Sequence, residues 1–108
     1  MKIEKKIGKI ICYNLQVGGF PKNEIVRFQR ELFGYMDKSN YGSHTYYREG
    51  LLDRIPHIKP VRSVLVIPPE FSGEVLALLG KYGAEIFARD IILEKRDVET
   101  LARRGKQG

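Results

Sequence analysis

The 108-residue sequence predicts an α+β fold of ferredoxin-like type, βαββαβ: an antiparallel four-stranded sheet with two helices on one face and a short C-terminal helix. Three observations lead there. KIICYNLQV (9–17) and RSVLVI (62–67) are the two most continuously apolar stretches, as central strands buried on both sides require. Each is followed by a segment whose apolar residues recur at helical spacing. HTYYR (44–48) has strand composition but polar character, a usual way of blunting a sheet edge. Residues 1–108 read as a single domain, since domains cluster at roughly 100–150 residues, with basic ends at 1–9 and 95–108.

The elements follow in order. Lys9–Val17 is rich in β-branched and aromatic residues and forms the first strand, broken by Gly18-Gly19. Phe20-Pro21 leads into a helix with Asn23 and Glu24 near the positive end of its dipole. Ile25, Phe28, Leu32, Val26 and Phe33 form its apolar face, and Gly34 stops it. Asp37–Gly42 (DKSNYG) reads as a turn-rich loop and His44–Arg48 as the second strand. Glu49–Pro60 is a long connection in which Leu51, Leu52 and Ile55 form one helical turn. Arg62–Ile67, closed by Pro68-Pro69, is the third strand. Glu70–Tyr82 is the clearest helix, with Phe71, Val75, Leu78, Leu79 and Tyr82 on one face and Gly83 as its stop. Glu85–Leu93 is the fourth strand and Lys95–Arg104 a short closing helix.

Charge is unevenly spread. The net charge is +6, and the excess sits at both ends. Lys2, Lys5, Lys6 and Lys9 face only Glu4, and Lys95, Arg96, Arg103, Arg104 and Lys106 face Asp97 and Glu99. Residues 38–62 are basic as well, through Lys38, Arg48, Arg54, Lys59 and Arg62, whereas 63–94 are acidic. Such a chain attracts polyanions in a salt-dependent way. The alternative is that both ends are simply solvated, in a thermophile-like composition rich in Lys, Glu and Ile. A lone Cys12 argues against a disulfide framework or a thiolate zinc site. Apolar runs such as Val64–Ile67 and Val75–Leu79 fall far short of a membrane span. A cytoplasmic protein is expected.

Motifs for chemistry are sparse. His44 and His57 have no metal-ligand spacing, and the serines lack a nucleophile setting. Gly18-Gly19, between a strand and a helix, could cradle an anion or simply turn the chain. The most distinctive stretch is SNYGSHTYYREG (39–50). Along a strand Tyr46 and Arg48 point the same way, a pairing suited to stacking a base and holding a phosphate. An edge strand whose tyrosines half-cover the core is the alternative.

An apolar first strand ending in Tyr13-Asn14, the helix VRFQRELFGY, the polar GSHTYY strand and the LLGKYGAEIF helix-to-strand turn lie together in residues 15–93 and just before them. In these the chain resembles the small ferredoxin-like CRISPR-associated proteins of spacer acquisition and related toxin endoribonucleases. The resemblance implies a homodimer, nucleic-acid contact and, in some members, metal-dependent cleavage. The family's aspartate at the end of the first strand would fall at Asn14, and the 49–60 connection is longer than the family's.

The expected function is that of a small dimeric protein binding DNA or RNA. Its binding residues are Tyr41, Tyr46, Arg48, Arg54, Arg62, Lys5, Lys6, Arg103 and Arg104, and it needs no cofactor. One alternative is a nuclease with Mg²⁺ or Mn²⁺ held by Asn14, Asp37 or another carboxylate. Another is an oligomeric interaction or ligand-sensing module.

Overall fold

The computed structural model of the chain describes residues 6–15, 22–39 and 42–105. The elements run β1 (Ile7–Asn14), α1 (Lys22–Phe33), β2 (Tyr35–Ser39), β3 (His44–Arg48), β4 (Val64–Ile67), α2 (Ser72–Lys81), β5 (Glu85–Ile92) and α3 (Lys95–Gly105). Short 3₁₀ turns occupy Leu51–Arg54 and Pro69–Phe71. The fold is α+β, with five strands split into two sheets and three α-helices among the described residues.

The main sheet has the order β4-β1-β5 and is antiparallel throughout, with Ile11 opposite both Leu65 and Ala88. One face of β1 and β4 presents Ile11, Tyr13, Leu65 and Ile67 to the helices. There they meet Phe28 and Leu32 of α1, Val75 and Leu79 of α2, and Tyr82 just beyond it. Tyr13, Phe28 and Tyr82 form an edge-to-face chain of rings with centroids 5.8 and 5.5 Å apart, the arrangement that the ring quadrupole favours. Leu52 and Ile55 of the long connection complete this core. The periodicity of α1 and α2 therefore translates into burial, except at Val26, which stays 45% exposed.

The opposite face is covered at one end only. Leu93, following β5, lies over Gly8 so closely that a Cβ there would sit 2.6 Å from its side chain. Beyond it α3 buries Leu101, which with Val66 lies outside the main core cluster. An Arg104 guanidinium nitrogen donates to the His57 carbonyl at 2.7 Å, which fixes the end of α3 beside residues 57–58. No helix among the described residues is long and apolar enough to cross a membrane.

The ferredoxin-like expectation of a single four-stranded sheet is overturned. HTYYR does not join the main sheet; it pairs with Tyr35–Ser39 in a separate hairpin. Two local features cause this. Gly34, at φ 83°, turns the chain out of α1 straight into β2, a conformation costly for any residue with a Cβ. Gly42, at φ 84°, donates its N–H to the Ser39 carbonyl at 3.1 Å and closes the return. The first residues of DKSNYG thus belong to a strand, not a loop. The third cause is competition for the free edge of β4. Ile58, inside the long connection, exchanges two 2.8 Å backbone hydrogen bonds with Val66 there. The position that a fourth strand would take is already occupied.

Candidate anion-binding cleft

β1 ends where three segments converge: one flank of α1, the start of β2, and the loop 59–63. Between them lies a cleft of about 670 Å³. Arg30, Lys59 and Arg62 supply its charge, and Tyr13, Phe33 and Tyr35 its rings. Asn14, Gln29 and Ser63 add neutral polar groups, and no carboxylate lines it among the described residues.

Each cation is placed by a local rule. Val26, Arg30 and Phe33 stand four and three residues apart, which aligns them on one strip of α1 beside the buried Phe28–Leu32 face. The left-handed Gly34 then swings Tyr35 back, and its ring centroid lies 4.4 Å beneath the Arg30 guanidinium. Lys59 Nζ lies 4.8 Å from the Phe33 ring. Both distances suit attraction between a cation and the negative face of a ring. Ser63 adopts φ 65°, the only non-glycine at positive φ among the described residues, and its carbonyl accepts the Tyr13 N–H at 3.0 Å. A left-handed serine costs on the order of 1 kcal/mol. The bend it makes ties the 59–63 loop to the end of β1.

Electrostatically the cleft is uncompensated. Some cations elsewhere find acids, such as Lys9 with Asp90, Arg27 with Glu24, Lys81 with Glu31 and Arg96 with Glu94. Arg30, Lys59 and Arg62 form no ion pair among the described residues. Burial pushes the Tyr13 phenol above its ordinary pKa of 10.0, so the cleft sees a neutral hydroxyl.

The hairpin is anchored beside this cleft by a crossing of two glycines. A Cβ on Gly50 would lie 2.7 Å from the Leu32 carbonyl, and one on Gly34 would lie 2.7 Å from the Arg48 carbonyl. Asp53 Oδ2 accepts the Gly50 N–H at 2.8 Å and the Tyr47 hydroxyl at 2.5 Å. That second bond raises the Tyr47 pKa. The Tyr47 oxygen also lies 3.1 Å from the Phe33 carbonyl, which joins hairpin, 3₁₀ turn and α1 at one neck.

The residues expected from sequence are dispersed around this frame. Arg62 lies in the cleft and Asn14 at its lip, with the Asn14 amide 3.4 Å from Glu85. Tyr46 and Arg48 share a hairpin face with Asp37 and Tyr35, as alternation requires. Tyr46 is half-exposed and stacks on His44, whereas Arg48 Nε donates to Asp37 Oδ2 at 3.0 Å. Arg48 and Asp37 therefore neutralise each other. Arg54 borders a hollow lined by Glu31, Glu49 and Glu74. Arg103 and Arg104 lie in the last turn of α3, where Arg104 donates to the His57 carbonyl, and neither lines the cleft. Lys6 lies at the other end of β1, with Lys95. Tyr41, Lys5 and the Gly18-Gly19 pair lie outside the described residues. No group of three or more His, Cys, Asp or Glu among the described residues could hold a metal ion.

Arg30, Lys59, Phe33 and Tyr35 escaped the sequence reading as site residues. The available signal was KPVRS (59–63), two cations in five residues with no acid between. Comparison of this chain with known protein families, curated proteins and solved structures finds no match.

Proposed function

We propose that the protein binds nucleic acid, and that the cleft at the end of β1 is where an unpaired stretch of strand docks. Phosphates would be held by Arg30, Lys59 and Arg62, and a base would lie against Tyr35 or Phe33. The observation that carries this reading is the combination of three cations without acidic partners and aromatic rings in one concave site. Guanidinium planes and aromatic faces are the usual platforms for unstacked bases. A cleft open on one side suits a splayed single strand better than a duplex, which offers its bases only through grooves. Arg104, at the end of α3, donates to the His57 carbonyl and would add positive charge beside the start of the 59–63 loop. A cytoplasmic setting suits this role and the free, partly buried Cys12.

Fluorescence anisotropy with single-stranded and double-stranded DNA and RNA at several salt concentrations tests the proposal. Three phosphate contacts on a single strand give a log K against log salt slope of about −2. Arg62→Ala and Lys59→Ala should each make that slope shallower by about 0.7. Absence of binding at low salt, or binding indifferent to both substitutions, would overturn the reading.

A further inference from the structure

β5 is an edge strand of eight residues, and no described residue pairs with its outer side. Its charges, Glu85, Arg89 and Asp90, are of mixed sign and leave apolar residues between them. Ile86 is 41% and Phe87 51% exposed, on a strand of the length and composition that invites pairing.

Its hydrogen-bonding side can be read directly. Leu93, just past β5, donates its N–H to the Lys6 carbonyl at 2.8 Å, so odd-numbered residues of this strand turn their backbone polar groups toward β1. The even-numbered Ile86, Ala88, Asp90 and Ile92 therefore turn theirs outward, where no backbone group among the described residues meets them and the Ala88 carbonyl accepts only the Arg89 guanidinium of its own chain, at 2.7 Å. A second copy related by a two-fold axis perpendicular to the sheet would pair antiparallel with this edge. Like faces stay together only if the axis passes through a residue.

Side-chain chemistry selects which residue. With the axis at Arg89, two guanidinium groups stand directly opposite each other, a destabilising like-charge pair. With the axis at Ala88, Ile86 faces the Asp90 carboxylate, which is engaged with Lys9 at 2.7 Å. With the axis at Phe87, the oppositions within 85–89 are all favourable, and Asp90 falls beside the partner's Ala84, beyond the start of its strand. Glu85 meets the partner's Arg89 twice, Ile86 meets the partner's Ala88 twice, and the two Phe87 rings meet at the centre. Glu85 and Phe87 are odd-numbered, so these contacts fall in the non-hydrogen-bonded pairs, where side chains approach most closely. Arg89 is exposed, lies 4.0 Å over the Phe87 ring of its own chain and donates to the Ala88 carbonyl at 2.7 Å. Pairing exchanges that bond for the partner's Ile86 N–H on the carbonyl and the partner's Glu85 on the guanidinium, and no ion pair has to break. Cys12 and Phe87 lie opposite each other on the same sheet face, which adds a partly buried thiol to the apolar centre.

We propose that β5 is the seam of a homodimer, pairing antiparallel with a second copy of itself about a two-fold axis at Phe87 to give one continuous six-stranded sheet. The occupant is a second copy because the edge is complementary to its own reverse in charge and in apolar residues. This interface lies on a different edge from the cleft and stands or falls independently of nucleic-acid binding.

Sedimentation velocity of the full chain tests it, with circular dichroism of each variant to confirm folding. Wild type should sediment as a dimer. Glu85→Arg and Arg89→Glu should each weaken association about tenfold or more, since both symmetry-related pairs become repulsive. The double variant E85R/R89E should restore it. In a Cys12→Ser background, Phe87→Cys should cross-link on mild oxidation, because only a residue on the axis faces its own counterpart within disulfide reach. Arg89→Cys should not, its counterpart being displaced by four residues, about 13 Å. A monomeric wild type, which would leave the edge to a different protein, overturns the proposal. So does a dimer indifferent to both single charge reversals, a double variant that fails to recover, or cross-linking at 89 in place of 87.

Discussion

Arg27 and Arg30 stand one turn apart on α1, yet their surroundings differ in kind. Arg27 lies 3.2 Å from Glu24, whereas Arg30 lies over Tyr35 and forms no ion pair among the described residues, although Glu31 and Glu49 line a hollow on its other side. Arg30→Ala should therefore lower nucleic-acid affinity about tenfold or more, while Arg27→Ala leaves it within twofold; anisotropy titrations compare the two directly. A second residue-level prediction concerns Glu31, whose Oε1 accepts the Tyr82 hydroxyl at 2.5 Å and lies 3.0 Å from Lys81. The Tyr82 bond, then Lys81, holds the Glu31 carboxyl below its ordinary 4.5. Its contribution to stability is complete above that value and is lost as pH falls through the depressed pKa. Burial, then the same bond, pushes Tyr82 up to about 12, so its contribution is complete below 10.0 and is lost as pH rises through about 12. Thermal melts from pH 3 to 8 should show the acid-side decline of wild type flattened in Tyr82→Phe. Neither partnership is visible in sequence, because residues 31 and 82 meet only once α1 and α2 have packed. Gly34 was legible as a stop; Ser63 was not, because nothing marks a serine for positive φ.

Among the elements, helices were more legible than strands, and the hairpin shows why. α1 and α2 announce themselves by apolar spacing, and their burial at Phe28, Leu32, Val75 and Leu79 follows it. β2 has no such signature: YMDKS alternates between partly buried and exposed positions, and three of its residues also read as turn formers. Its strand state depends on partners five to thirteen residues away, together with the two glycines that let the neck close. Gly50→Ala should destabilise the fold by about 2 kcal/mol, since the added methyl would press on backbone that cannot yield. Urea titration measures this. Gly73→Ala, where a Cβ meets nothing within 4 Å, is the matched control and should be neutral or slightly stabilising.

Across the whole molecule, the sequence conveyed which stretches are strands and helices better than which strands share a sheet. Val64–Ile67 is apolar because it is covered on both faces, by the helices at Leu65 and Ile67 and on the other side at Val66. The same pattern would arise in the centre of a four-stranded sheet. What distinguishes the two outcomes is a single reciprocal bond pair from Ile58, and one residue in an irregular connection carries no legible pattern. Ile58→Pro should remove the donor to the Val66 carbonyl and destabilise the chain by about 1–3 kcal/mol, read as a lower denaturant midpoint. The cleft was legible only in part: Arg62 was marked by the basic stretch 38–62, while Arg30 and Tyr35 are brought together by a turn. The crossing at Gly34 and Gly50 has a mechanical consequence. Tyr35 is the first residue past one glycine and Arg48 the second before the other, so the hairpin is a short lever whose fulcrum sits against the aromatic wall. The arm is thus tied to the body of the molecule at one end only, and Tyr35 stands at that end.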